Sequence, residues 1–266
     1  MSSLVSRIVV TVSLLPVVLV LVYLGGWWLF GLAAVGALLA LHEFWVMTRE
    51  LRPLALAGYL GALATLLGAE LGGVEWALAG FMTTFALAFL LKGLADTKQT
   101  TTVSVGATVL GAGWIGFGLA HILLLRDLEE GRLAAFVVLL AVFAADTVAY
   151  FVGRLIGRHK LAPVTSPGKT WEGFIAGTAL AVAVPFFALY EERDSFLEIW
   201  EALVLGGAIA VAAPIGDLFE SALKRDMHVK DTGRLLGGHG GMLDRIDALL
   251  FASIAAYYTI VALGHG

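Results

Sequence analysis

Apolar residues in this chain follow neither a helical nor a strand period. They run in long stretches separated by short polar segments. Nine such stretches lie at about 7–24, 26–47, 54–72, 75–94, 103–125, 132–153, 172–190, 199–219 and 245–264. Several reach the ~17–25 residues a helix needs to cross the hydrocarbon core of a bilayer. A membrane β-barrel would need short alternating segments instead. The pattern predicts an all-α, polytopic integral membrane protein of about nine transmembrane helices. The first stretch has the hydropathy of a signal peptide. It continues through Gly25-Gly26-Trp27-Trp28 into the next stretch without a clear small-residue cleavage site, so it is expected to remain as a membrane helix.

Composition agrees with that pattern. Hydrophobic residues make up 59% of the 266 positions and charged residues only 14%, against roughly a quarter charged in a soluble domain. The chain has no cysteine, which excludes disulfides, thiolate catalysis and cysteine-ligated metals. No polar segment is long enough to stand as a soluble domain. The expected organisation is one integral domain, with five spans in residues 1–125 and a catalytic region of four spans in 126–266. Polar loops fall at 154–171 and 220–244.

The basic residues orient the spans. Of the 17 Lys and Arg residues, only Arg126, Arg132 and Arg193 fall on one side, and the rest fall on the other. By the positive-inside rule the N-terminus and the polar loops are expected in the cytoplasm and the C-terminus outside. The outer loops are acidic, as in Asp127-Leu128-Glu129-Glu130, and read as solvated surface.

Three polar groups on the cytoplasmic side carry the candidate chemistry. The largest is Ser221–Asp247, where basic and acidic residues, two histidines and five glycines follow one another in an otherwise apolar chain. Charge of both signs is costly near a bilayer and usually marks function. If the helix before it continues, Asp217, Glu220, Ser221 and Lys224 share a face, and Asp244 and Asp247 share a face at the start of the last span. Mg²⁺ favours one or two carboxylates together with substrate phosphate oxygens and water. The glycines around His239, including Gly240 and Gly241, would let backbone approach phosphate closely. The second group is Asp146 with Tyr150, four residues apart near the end of the sixth span. An ionisable residue at that depth is expected to face the bundle interior.

The third group is Ser166-Pro167-Gly168-Lys169-Thr170-Trp171-Glu172-Gly173. Its GKT triplet is not a P-loop, because Pro163 stands where that motif needs glycine and no strand is expected before it. It reads as a loop turned by Pro167 and Gly168, whose backbone donors and following helix N-terminus suit an anion, with Lys169 adding a charge.

The run S-x-x-K-R-x4-K-D-x-G-x2-L-G-x-H-G-G-M-x-D-R-I-D, from Ser221 to Asp247, resembles the signature of phosphatidate cytidylyltransferases. The segments D-x-x-A-Y (Asp146–Tyr150) and S-P-x-K-T-x-E-G (Ser166–Gly173) resemble that family's other polar segments in the same order. The similarity spans at least the C-terminal half.

The resemblance implies transfer of CMP from CTP to phosphatidic acid at the cytoplasmic face of the inner membrane. The products would be CDP-diacylglycerol and pyrophosphate. It further implies Mg²⁺, with a second cation such as K⁺, a homodimer, and no nucleic-acid partner. Within that picture Asp217, Lys224, Arg225, Lys230, Asp244 and Arg245 are the expected catalytic residues. Asp217 and Asp244 lead as metal ligands, followed by Asp247 and Asp146. Ser166, Lys169, Thr170, Ser221, His239, Gly240 and Gly241 are expected to bind phosphates. Two rivals share the composition: a CTP-dependent polyprenol or lipid kinase, and an ion-coupled transporter. The concentration of charge on one face and the lack of a visible inverted repeat weigh against transport.

Overall fold

The computed structural model describes residues 15–94, 100–193, 196–233 and 240–266. His239, Gly237, Gly238 and Arg234 lie outside the described residues. The helices are α1 (Leu15–Leu24), α2 (Gly26–Met47), α3 (Ala55–Leu94), α4 (Thr101–Asp127), α5 (Gly131–Ile156), α6 (Trp171–Ala188), α7 (Ile199–Asp226) and α8 (Leu243–Ala262). Between α5 and α6 lies a two-stranded antiparallel hairpin, β1 (Lys160–Ala162) and β2 (Ser166–Thr170). Among the described residues, α2 to α8 are seven helices long and apolar enough to cross a membrane. The protein is an all-α polytopic membrane protein.

The residues facing away from the protein are large and apolar, among them Trp76, Phe89, Leu155 and Phe187. The buried positions are rich in alanine, including Ala37, Ala40, Ala57, Ala62, Ala141 and Ala252. This inverts the size distribution of a soluble protein. Lipid solvates large side chains as well as a core does, so small residues gather where helix backbones must approach.

The chain divides into two compact units, Met1–Leu124 with Met227–Ile246, and Leu125–Asp226 with Asp247–Gly266. In the first, Gly25 (φ 67°) and Gly26 (φ 49°) separate α1 from α2 with left-handed backbone. The 40-residue α3 is not one rod. Gly72 (φ −156°, ψ 18°) and Gly73 (φ 73°, ψ −158°) break it. A Cβ on Gly61 would overlap Thr84, one on Gly80 the Ala64 carbonyl, and one on Gly68 the Trp76 carbonyl. These approaches converge on the break, so α3 is a helical hairpin whose arms match the separate apolar stretches at 54–72 and 75–94. Among the described residues the helices coincide with the apolar stretches from 26–47 onward, and the shorter α1 lies within the first stretch.

In the second unit, glycines again let helices touch. Gly173 and Gly177 of α6 lie against the Ala149 and Ala145 carbonyls of α5, Gly206 of α7 lies against Val182 and Ala181 of α6, and Gly216 of α7 lies against Asp247 and Ala248 of α8. These approaches fix the heights at which the polar side chains of this unit face one another.

The same geometry predicts a contrast between two glycine-to-alanine changes. Gly80→Ala should destabilise the α3 hairpin by about 1–3 kcal/mol through overpacking against backbone. Gly106→Ala, where no atom lies within 4 Å of the added carbon, should be neutral or stabilising by up to about 1 kcal/mol through helix propensity. Thermal unfolding of the two variants in detergent checks this.

Candidate functional site

In the second unit α7 carries most of the polar residues. It runs past the end of its apolar stretch to Asp226, which puts Asp217, Glu220, Ser221 and Lys224 on successive turns of one face. Ser221 Oγ donates to Asp217 Oδ1 at 3.4 Å. Lys224 Nζ pairs with Glu220 Oε2 at 2.5 Å, and Glu220 is 1% exposed. The cation lies C-terminal to the acid, the order the helix dipole favours.

The Ser166–Gly173 segment is a hairpin strand, not the loop turned by Pro167 and Gly168 that its composition suggests. The turn falls at residues 163–165, and Pro167 and Gly168 lie within β2. Proline is tolerated there because β2 is an edge strand. A strand, β1, does precede the segment, contrary to expectation. It pairs antiparallel with β2, Lys160 opposite Thr170 and Ala162 opposite Ser166, so the segment is not a phosphate loop between a strand and a helix.

The hairpin has a clear consequence: it lays Lys169 on α7. Lys169 Nζ is 2.6 Å from Asp217 Oδ2, and Arg225 Nε donates to the Thr165 carbonyl at 3.1 Å. Thr170 is buried and caps α6, its Oγ1 accepting from Gly173 N at 3.2 Å. Glu172 on the first turn of α6 accepts from His159 Nδ1 at 2.7 Å, closing the base of the hairpin. Ser166 is half-buried at the start of β2.

Asp247 sits on α8, 8% exposed, in the electrostatic field of Glu220, Asp217 and Asp146. Asp146 on α5 is exposed, and it stands near enough to Asp247 to act on its charge. One turn on, Tyr150 accepts from Arg154 Nη1 at 2.7 Å. The unit thus brings four acids of three helices together with Lys169 and Lys224. No three acids or histidines among the described residues stand close enough to hold a metal ion by themselves. The donor set still suits Mg²⁺ in kind. All its donors are carboxylate oxygens, two of the acids already hold cations, and the ion commonly takes only one or two protein carboxylates beside substrate phosphates and water.

The first unit holds the rest of the long polar stretch. Asp244 is on the first turn of α8, and its Oδ2 accepts from Gly241 N at 2.8 Å and Thr232 N at 3.2 Å. Gly240 (φ 81°) lies so near that a Cβ would overlap this carboxylate. Arg245 and Lys230 are exposed.

Sequence reasoning missed a residue here. Glu43 of α2 is 5% exposed, and its Oε2 accepts from Leu243 N at 2.9 Å and Thr232 Oγ1 at 3.4 Å. A Cβ on Gly233 or Gly241 would overlap it. The available signal was an acid inside an apolar stretch, in Leu41-His42-Glu43-Phe44-Trp45, which is costly unless it has a partner.

Known proteins of one family resemble this chain. The cytidylyltransferase family profile matches residues 5–263. A phosphatidate cytidylyltransferase of Staphylococcus haemolyticus is 32% identical over 92% of this chain and 93% of its own length. One of Mycobacterium bovis is 33% identical over 97% and 88%, and one of Bacillus subtilis is 35% identical over 66% of each chain. With nearly its whole length matched, the chain belongs to the cytidylyltransferase family and is a nucleotidyltransferase.

Proposed function

We propose that the protein transfers CMP from CTP to phosphatidic acid, giving CDP-diacylglycerol and pyrophosphate at the cytoplasmic face of the inner membrane. The reading is supported by the named relatives and by the expected topology, whose basic side carries the three polar segments with the candidate chemistry. One observation carries it to the residues: Lys169 of the hairpin rests on Asp217 of α7, one turn from the Glu220–Lys224 pair. Cations and carboxylates interleaved in one unit suit a substrate of several phosphates.

In this reaction a phosphate oxygen of phosphatidic acid attacks the α-phosphorus of CTP. The bond from that phosphorus to the bridging oxygen of the β-phosphate breaks, and pyrophosphate leaves. The nucleophile is already an anion near neutral pH, so no strong general base is required. The difficulty is bringing two polyanions together, and charge neutralisation with positioning carries the catalysis. Lys169, Lys224, Arg225, Lys230 and Arg245 neutralise phosphate charge, and Ser166 and Ser221 add hydrogen bonds. Thr170 acts by holding the hairpin to α6. Asp217 and Asp247, with Asp146, would be the carboxylates of the second unit for Mg²⁺, which when bound supplies positive charge to the triphosphate, and Asp244 is the acid the first unit offers. Lys169, paired with Asp217 in the structure, would be the cation nearest that carboxylate when phosphate binds.

Purified protein given CTP, phosphatidic acid and MgCl₂ should form CDP-diacylglycerol and pyrophosphate in equal amounts. Release of CDP with a phosphorylated lipid alcohol would favour the kinase. Uptake into vesicles without pyrophosphate would favour transport. Asp217→Ala should lower kcat by roughly 10²–10³-fold. Lys169→Ala should lower kcat/KM for CTP by roughly 10–100-fold, and Lys169→Arg should restore part of it. Steady-state kinetics with pyrophosphate detection reads all three variants.

A further inference from the structure

A helix leaves its first N–H groups without partners inside the helix. The residue just before α8 is Met242, whose side chain has no oxygen to cap them. The acceptor for Leu243 N is Glu43 Oε2, from a helix 200 positions earlier in the chain. The same oxygen accepts from Thr232 Oγ1, and the backbone of Thr232 donates to Asp244. Thr232 is therefore tied to both acids, one through its hydroxyl and one through its N–H. Gly233 and Gly241 pack directly on the Glu43 side chain, where no larger residue fits. Glu43 Oε1 is buried and has no hydrogen-bond partner among the described residues.

From this we infer that Glu43 is a positioning residue. It is a latch in the α2 span that holds Thr232–Gly233 and Gly241–Leu243 together, and so sets the carboxylate of Asp244. The inference rests on the cytidylyl-transfer reading only in naming Asp244 as part of the site; the latch itself does not. It acts through hydrogen bonds accepted at Oε2, near the positive end of the α8 dipole. Glutamine keeps an acceptor in that place and alanine removes it. Those two substitutions separate a latch from a cation ligand, for which the charge itself would matter.

Limited trypsin digestion of full-length protein in detergent measures the latch without reference to activity. Cleavage after Lys230 and Arg234 should be about 10-fold faster in Glu43→Ala and within about 3-fold of wild type in Glu43→Gln, the scale expected for losing or keeping a hydrogen bond to a charged group. Thr232→Val, which removes only the hydroxyl donor, should accelerate cleavage to a lesser degree and keeps the test intact if Glu43→Ala does not fold.

In the turnover assay Glu43→Ala should lower kcat about 10-fold with the KM for phosphatidic acid within about 2-fold, and Glu43→Gln should recover most of the loss. Wild-type cleavage rates in both Glu43→Ala and Thr232→Val would overturn the latch. So would Glu43→Gln as impaired as Glu43→Ala with a raised Mg²⁺ requirement, which marks a cation ligand. If no variant or wild type turns over CTP, the function reading fails while the digestion still decides the latch.

Discussion

A carboxylate among apolar helices must find donors or cations, because neither lipid nor alanine can replace the water it has lost. That constraint organises this protein. Glu220, buried on α7, takes Lys224 from its own helix. Asp217 takes Lys169 from a hairpin nearly 50 residues earlier. Glu43 takes the backbone of α8 and a hydroxyl. The last two compensations each tie a polar segment to a membrane helix, so those segments inherit the rigidity of the bundle.

The small-residue packing serves the same end. Gly216 brings α7 against α8 beside Asp247, and Gly173 brings α6 against α5 beneath the hairpin. With larger residues at these positions the helices would stand farther apart. Asp247 differs from the other acids: it lies buried in the field of three further carboxylates. Such a grouping favours the arrival of positive charge, which is what a metal-bound nucleotide brings.

Much of this was legible in the sequence. Long apolar stretches marked the spans, and the separation of 54–72 from 75–94 anticipated the break that turns α3 into a hairpin. The i, i+4 spacing of Glu220 and Lys224, and of Asp217 and Ser221, places them on one face of a helix. The strand β2 was not legible, because Pro167 and Gly168 are ordinary turn residues. Only pairing of Ser166 and Thr170 with β1 shows that the turn lies before them. Nor was Glu43 connected to the signature stretch. Its partners lie about 190 and 200 positions away, and local spacing carries no information about contacts at that separation. The exposure of Asp146 likewise depends on how α5 faces its neighbours, which periodicity in an almost uniformly apolar helix does not report.

The central claim is that the carboxylates of α7 and α8 are arranged for a divalent cation that comes with the nucleotide. Mn²⁺ binding to detergent-purified protein, followed by electron paramagnetic resonance with and without CTP, tests it directly. The account predicts binding that tightens when CTP is present and weakens at least about 10-fold in Asp217→Asn, a loss on the scale of one charged interaction. Equal Mn²⁺ affinity in wild type and Asp217→Asn, with no response to CTP, would contradict it.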